Sequence, residues 1–133
     1  MSRPFVFDPS RTLIVIDAEL VSVDRGFRHN MSLALDTGAS RTMISWLIAR
    51  RLGYSPELSP LIERTKIFTG SGVEYVPEIT TTEFRCLGKT VRHLPILVHD
   101  LPVEIRVDGL LGLDFLRLYQ LSIDFKKGLI RLR

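Results

Sequence analysis

One carboxylate stands apart from the other acids of this sequence. Asp36 follows the apolar run Leu33-Ala34-Leu35 and opens the small-residue run Thr37-Gly38-Ala39-Ser40. A glycine and an alanine beside an acid let other backbones come close, while hydroxyl and amide donors hold the carboxylate in one geometry. Two carboxylates a few ångströms apart share one proton, because both cannot ionise at that distance. Such a pair activates a water and protonates a leaving amine, hydrolysing an amide with no metal and no Ser or Cys nucleophile. The run occurs once in the chain, and that count bears on the architecture.

The other acids sit in plainer surroundings. Asp24 lies in an Asp-Arg-Gly turn and Asp114 reads as a helix-start residue, while Asp17, Asp108 and Asp124 lack a small-residue loop. His29, His93 and His99 occupy unrelated contexts with no ligand spacing, so no metal site and no cofactor is expected; they read as surface or satisfied histidines. Trp46 reads as core packing on its helix. Cys86 stands alone, which rules out an intramolecular disulfide and suits a reducing compartment; within a strand it reads as a small buried hydrophobe.

The elements that must position Asp36 are mostly extended. Residues 5–7 form a short strand stopped by Asp8-Pro9, and 12–23, rich in β-branched and aliphatic residues, form a long one. After a turn at 24–26, residues 29–36 alternate with Met31, Leu33 and Leu35 on one face and deliver Asp36 at the strand's end. Ser45 caps a short helix with Arg50 and Arg51 in its last turn and Gly53 closing it. A loop over 54–60 leads to extended segments 63–69 and 73–84 around a hairpin tip at Thr69, Gly70, Ser71 and Gly72. A strand over 90–98, a glycine-broken apolar strand over 107–112, a helix over 113–119 and a hairpin over 121–132 complete an all-β chain with two short helices. Strand, glycine turn and short helix occur at 33–52 and again, faintly, at 107–119, as if one unit were used twice.

Length and composition bound the rest. A chain of 133 residues with 45% hydrophobic and 25% charged residues fits one folded domain, 1–133, and argues against disorder. The net charge of +3 is scattered without a basic block or interleaved aromatics, so nucleic acid is not an expected partner. The N-terminus has no apolar leader and no run approaches the ~20 residues of a membrane span, which points to a cytoplasmic protein.

Three features in order resemble the aspartic proteases, in particular the single-lobe retropepsin branch with its cellular and bacterial members. They are the apolar strand into Asp36-Thr37-Gly38-Ala39, the glycine-containing hairpin tip at 69–72, and Leu110-Leu111-Gly112 before the C-terminal helix. The resemblance implies a closed β-barrel lobe in which Asp36 is the catalytic carboxylate. Thr37 would tie its loop to a matching loop across a two-fold axis, and Gly38 would admit a substrate backbone. Ala39 and Ser40 would line the cleft, Thr69, Gly70, Ser71 and Gly72 would cover a bound peptide, and Leu110, Leu111 and Gly112 would pack behind the loop. Two-lobed relatives carry the motif twice in a longer chain. One motif therefore implies a homodimer, with the second carboxylate from the Asp36 of another copy. Ser40 and Leu113-Asp114 depart from the acidic and Arg-Asn residues usual in the viral enzymes, and bring the chain nearer the cellular and bacterial ones. The expected activity is peptide-bond hydrolysis of a peptide or protein substrate. The alternatives are a non-catalytic homodimeric peptide-binding or assembly module of the same fold, and one unequal lobe of a protease completed by another chain.

Overall fold

The computed structural model describes residues 3–58, 65–69 and 72–133. Its framework is an eight-stranded sheet, joined by a three-stranded sheet at the termini and a separate two-stranded hairpin. Strand β1 (Phe5–Val6) leads to β2 (Val15–Val21) and β3 (Arg28–Leu35), which pair antiparallel from Val15 opposite Ala34 to Val21 opposite Arg28. In β2 the period-2 pattern is explicit: Ile16, Ala18 and Leu20 are buried while Asp17 faces solvent. The chain then forms β4 (Met43–Ile44), helix α1 (Trp46–Arg51), the hairpin β5 (Thr65–Thr69) and β6 (Gly72–Val76), and the strands β7 (Glu78–Thr80) and β8 (Glu83–Cys86). Strands β9 (Lys89–Arg92), β10 (Pro95–Val98) and β11 (Gly109–Leu111), helix α2 (Leu113–Leu116), β12 (Leu121–Asp124) and β13 (Leu129–Leu132) follow.

The large sheet runs in the order β7-β10-β4-β11-β3-β2-β8-β9. Among the described residues its end strands β7 and β9 do not pair with each other, so the sheet is an open half-barrel and not the closed barrel that the resemblance implied. Strand β11 lies parallel to β3, with Leu110 opposite Ala34 and Leu111 opposite Leu35, and antiparallel to β4 on its other side. The two halves of the faint sequence echo are therefore neighbours in the sheet. Gly109 is required there, because a Cβ would stand 2.0 Å from the Met43 carbonyl oxygen.

The main core gathers Leu20, Leu33, Ile44, Phe84, Leu111 and Phe115 with other aliphatics, and Phe84 meets Phe115 edge to face at 5.4 Å between centroids. Each such buried aromatic contributes about 1.5–3 kcal/mol through area removed from water. A smaller cluster of Met43, Val76 and Leu97, flanked by Leu101 and Leu110, lies apart from it. Trp46 is partly buried against the main core and Cys86 is within it, as the sequence suggested.

Several boundaries differ from the sequence reading. The extended segment 73–84 is three strands in two sheets, because Pro77 has no N–H to donate and Thr81 turns inward, bonding Leu94 O through its amide and its hydroxyl. The strand 90–98 is broken into β9 and β10 at His93, whose φ is +58°. Helix α2 has four residues where seven were expected at 113–119. Strand β4 is too short to carry a readable period, and the sequence reading missed it. Strand β1 pairs with β13, which also pairs with β12, so the terminal segments form a three-stranded sheet within one chain.

Candidate active site

Asp36 stands one residue beyond β3, half-buried, where the strand meets β11. Its amide donates to Leu111 O at 3.0 Å, which fixes the loop to the neighbouring strand, and Leu35 N donates to Ile14 O on the other side. The carboxylate Oδ1 accepts the Gly38 amide at 2.9 Å. A Cβ on Gly38 would lie 3.1 Å from that same oxygen, so the glycine keeps the carboxylate where it is. Ala39 N closes the turn on Asp36 O at 3.2 Å. Thr37, Gly38 and Ser40 are exposed and Ala39 is half-buried, so the loop presents one uncovered face. Among the described residues the Asp36 carboxylate has no second carboxylate among its partners, and the Thr37 hydroxyl has no partner.

The loop is held from behind by residues to which the sequence reading gave no part in the site. Thr42, fully buried, donates its amide to both Asp114 carboxylate oxygens at 2.9 Å and its hydroxyl to Asp114 Oδ1 at 2.7 Å. The same hydroxyl accepts Gly112 N at 3.1 Å, while Leu113 N and Asp114 N donate to Ala39 O and Ser40 O. Asp114 does accept the amide of Phe115 in the first turn of α2, as a helix-start residue would. Its larger task is to join the Asp36 loop to α2 across 72 positions of sequence, which the local pattern could not reveal. Arg41 adds an ion pair to Glu78 at 2.7 Å and a longer one to Asp114 at 3.6 Å. Asp108 ties β3 to the segment before β11 in a similar way, accepting Ser32 N at 2.9 Å.

Leu111 is fully buried in the main core and Leu110 packs on the second cluster, so the pair spans both faces of β11. At Gly112 a Cβ would fall 2.6 Å from the Arg41 backbone, which only glycine avoids. The hairpin β5–β6 pairs Thr69 with Gly72 at its end, and its base is seated through Val76 on Met43 and Leu110. Gly70 and Ser71 lie outside the described residues. Gly72 has φ +129°, a conformation that favours glycine.

A surface cleft of about 370 Å³ lies elsewhere, lined by Arg3, Phe5, Asp17, Arg85, Cys86 and Lys89 among others, and includes no residue of the Asp36 loop. Burial, with a smaller contribution from Asp17, pushes the Cys86 thiol up to about 12. Among the described residues no group of three or more His, Cys, Asp or Glu is arranged to hold a metal ion, and no helix is long and apolar enough to cross a membrane.

Residues 20–115 match the family of aspartyl proteases. The chain belongs to that family. Within it, the chain is 32% identical over 107 residues to DNA damage-inducible protein 1 of Kluyveromyces lactis, a match covering 78% of this chain and 24% of that protein. The chain thus spans about a quarter of the length of this curated relative. In three dimensions this aspartyl protease family member superposes on a retropepsin-like aspartic protease from Rickettsia conorii with a TM-score of 0.71 and 21% identity, over 99% of this chain and 89% of that one. It also superposes on the retroviral protease-like domain of Ddi1 from Leishmania major, at a TM-score of 0.59 and 18% identity over 92% and 94% of the two chains. The fold is therefore retropepsin-like: mostly β, with two short helices.

Proposed function

We propose that the chain is an aspartic endopeptidase that works as a homodimer, with Asp36 of each copy supplying half of a carboxylate dyad. The observation that carries this reading is the Asp36-Thr37-Gly38 loop, rigidly backed by β11 and Thr42 yet bare on its outer face, with one carboxylate where the chemistry needs two. In the dimer the two loops face each other on the axis, and each exposed Thr37 hydroxyl ties its loop to the opposite one. One proton is shared by the two carboxylates. The ionised member takes a proton from a water held between them as the water oxygen bonds to the scissile carbonyl carbon. The protonated member hydrogen-bonds the carbonyl oxygen. Transfer of a proton to the amide nitrogen then accompanies breaking of the C–N bond, leaving a carboxylic acid and an amine.

Gly38, Ala39 and Ser40 line the cleft in this reading, and the hairpin carrying Thr69, Gly70, Ser71 and Gly72 lies over the bound peptide. Leu110, Leu111 and Gly112 form the packed wall behind the dyad. Residues 1–133 are taken as a single domain, and the lone buried Cys86 agrees with a reducing, cytoplasmic setting.

The test is cleavage of an unfolded protein by purified wild type and Asp36→Asn. Asp36 carries one intraloop hydrogen bond that an asparagine oxygen can also accept, so the variant keeps its fold and its melting temperature while cleavage disappears. Equal cleavage by the two proteins would overturn the proposal.

A further inference from the structure

We infer that His99 is a positioning residue whose imidazolium pins the β5–β6 hairpin to the body of the fold, so that the hairpin is held more tightly in acid than in base. Among the described residues the hairpin forms its own two-stranded sheet and shares no ladder with the eight-stranded one. Two strands alone are marginal in water, so the hairpin depends on what its inward face touches. On β6 that face alternates correctly: Glu74 is half-buried and Val76 buried, while Val73 and Tyr75 point to solvent. Val76 seats the base in the cluster of Met43 and Leu97. Glu74, two residues nearer the tip, reaches His99 beyond the end of β10, with 2.6 Å between Oε2 and Nε2.

The hydrogen-bond count at His99 requires charge. Nδ1 lies 2.8 Å from the Asp100 carbonyl oxygen, which can only accept, so Nδ1 carries a hydrogen. Nε2 faces a carboxylate oxygen, which when ionised also only accepts. Both bonds are made together by the doubly protonated ring. A neutral ring has one hydrogen and must give one of them up.

The setting of the pair is acidic and fixed. His99 N donates to Ile44 O, and the Asp100 carboxylate accepts Trp46 N at 3.0 Å at the start of α1. Arg50 of α1 lies over the Trp46 ring, and Lys66 of β5 stands opposite the exposed Tyr75. Glu74 is thus the carboxylate that meets the ring. The pin is complete when the ring carries both hydrogens and is lost when one of them leaves.

The pin itself stands on this geometry, and only its consequence for cleavage rests on the proposed proteolysis. Deuterium uptake by the amides of residues 72–76 is measured in full-length wild type and His99→Gln at pH 5 and pH 8.5, with the two proteins compared at each pH so that intrinsic exchange cancels. The variant exchanges about two- to five-fold faster at pH 5, the range for a partly exposed ion pair, and at the wild-type rate at pH 8.5. Glu74→Gln behaves the same way, and combining the two changes adds nothing further. A ratio of one at pH 5, or the same ratio at both pH values, overturns the inference. Peptide cleavage by the same samples is scored separately. If neither protein cleaves, proteolysis fails while the uptake ratio still decides the pin; if both cleave and the uptake does not differ at pH 5, the pin fails and proteolysis stands.

Discussion

Asp114→Ala tests whether the Asp36 loop is held by the bonds that reach it from α2. The substitution strips Thr42 of the acceptor for its amide and for its hydroxyl, and Thr42 is wholly enclosed, so water does not replace the carboxylate easily. A buried donor left without a partner costs about 1–3 kcal/mol, and here there are two, in addition to the Phe115 amide in the first turn of α2. The expected loss is about 3–5 kcal/mol, a large share of the ~5–15 kcal/mol that stabilises a domain of ordinary size. In a urea titration the midpoint falls with the slope unchanged, and the melting temperature drops by about 10 °C or more. Asp114→Asn keeps one acceptor oxygen and loses the charge, and costs about 1–2 kcal/mol. Thr42→Val orphans Gly112 N alone, at a similar cost of about 1–2 kcal/mol, and the double variant loses less than the sum because both act on one network. If Asp114→Ala unfolds within about 1 kcal/mol of wild type, the loop is supported by something other than this network.

Gly109→Ala places a Cβ 2.0 Å from a backbone oxygen of β4, so strands must separate and the protein is expected to be insoluble or more than about 4 kcal/mol less stable by urea titration. Gly38→Ala pushes on the Asp36 carboxylate at 3.1 Å, leaving the melting temperature within a few degrees and lowering peptide cleavage at least ~10-fold. With its pKa raised from 9.0 to about 12, native Cys86 holds about 1000-fold less thiolate at pH 8 than in denaturant, and thiol labelling slows accordingly. Because that pKa is higher folded than unfolded, its contribution to stability is intact below about pH 9 and falls as pH rises toward 12, which alkaline melts of wild type against Cys86→Ala will show. Cleavage should be fastest at acidic pH, where the dyad keeps its shared proton; a rate climbing steadily above neutrality would point to another chemistry.

The strand into Asp36 and the hairpin over 121–132 were legible because each carries its own period and its own turn residues. Helix α1 was legible for the same reason: Ser45 accepts Ile48 N, Arg50 and Arg51 close the last turn, and Gly53 turns with φ +86°. Legibility failed where the chain breaks without a change of composition. Val73 to Cys86 is β-forming throughout, and only Pro77 and an inward-turning Thr81 divide it among strands of different sheets. It failed again where a contact is long-range. Asp114 looks like any acid in a first turn, and nothing local to it points to Thr42. His99 likewise reads as a satisfied surface histidine, which it is, while the partner that satisfies it lies 25 positions earlier on a different sheet. The resemblance also implied a closed barrel, a property of strand pairing at both ends of a sheet that no single segment encodes.

The central claim is that two Asp36 carboxylates from two copies make one site, and co-refolding of wild type with Asp36→Asn measures it directly. With equal amounts of the two chains, random pairing leaves about a quarter of the dimers with both aspartates, so the cleavage rate on an unfolded protein falls to about one quarter of that of the same total amount of wild type. A rate of about one half, the value for copies that act singly, would contradict the shared dyad.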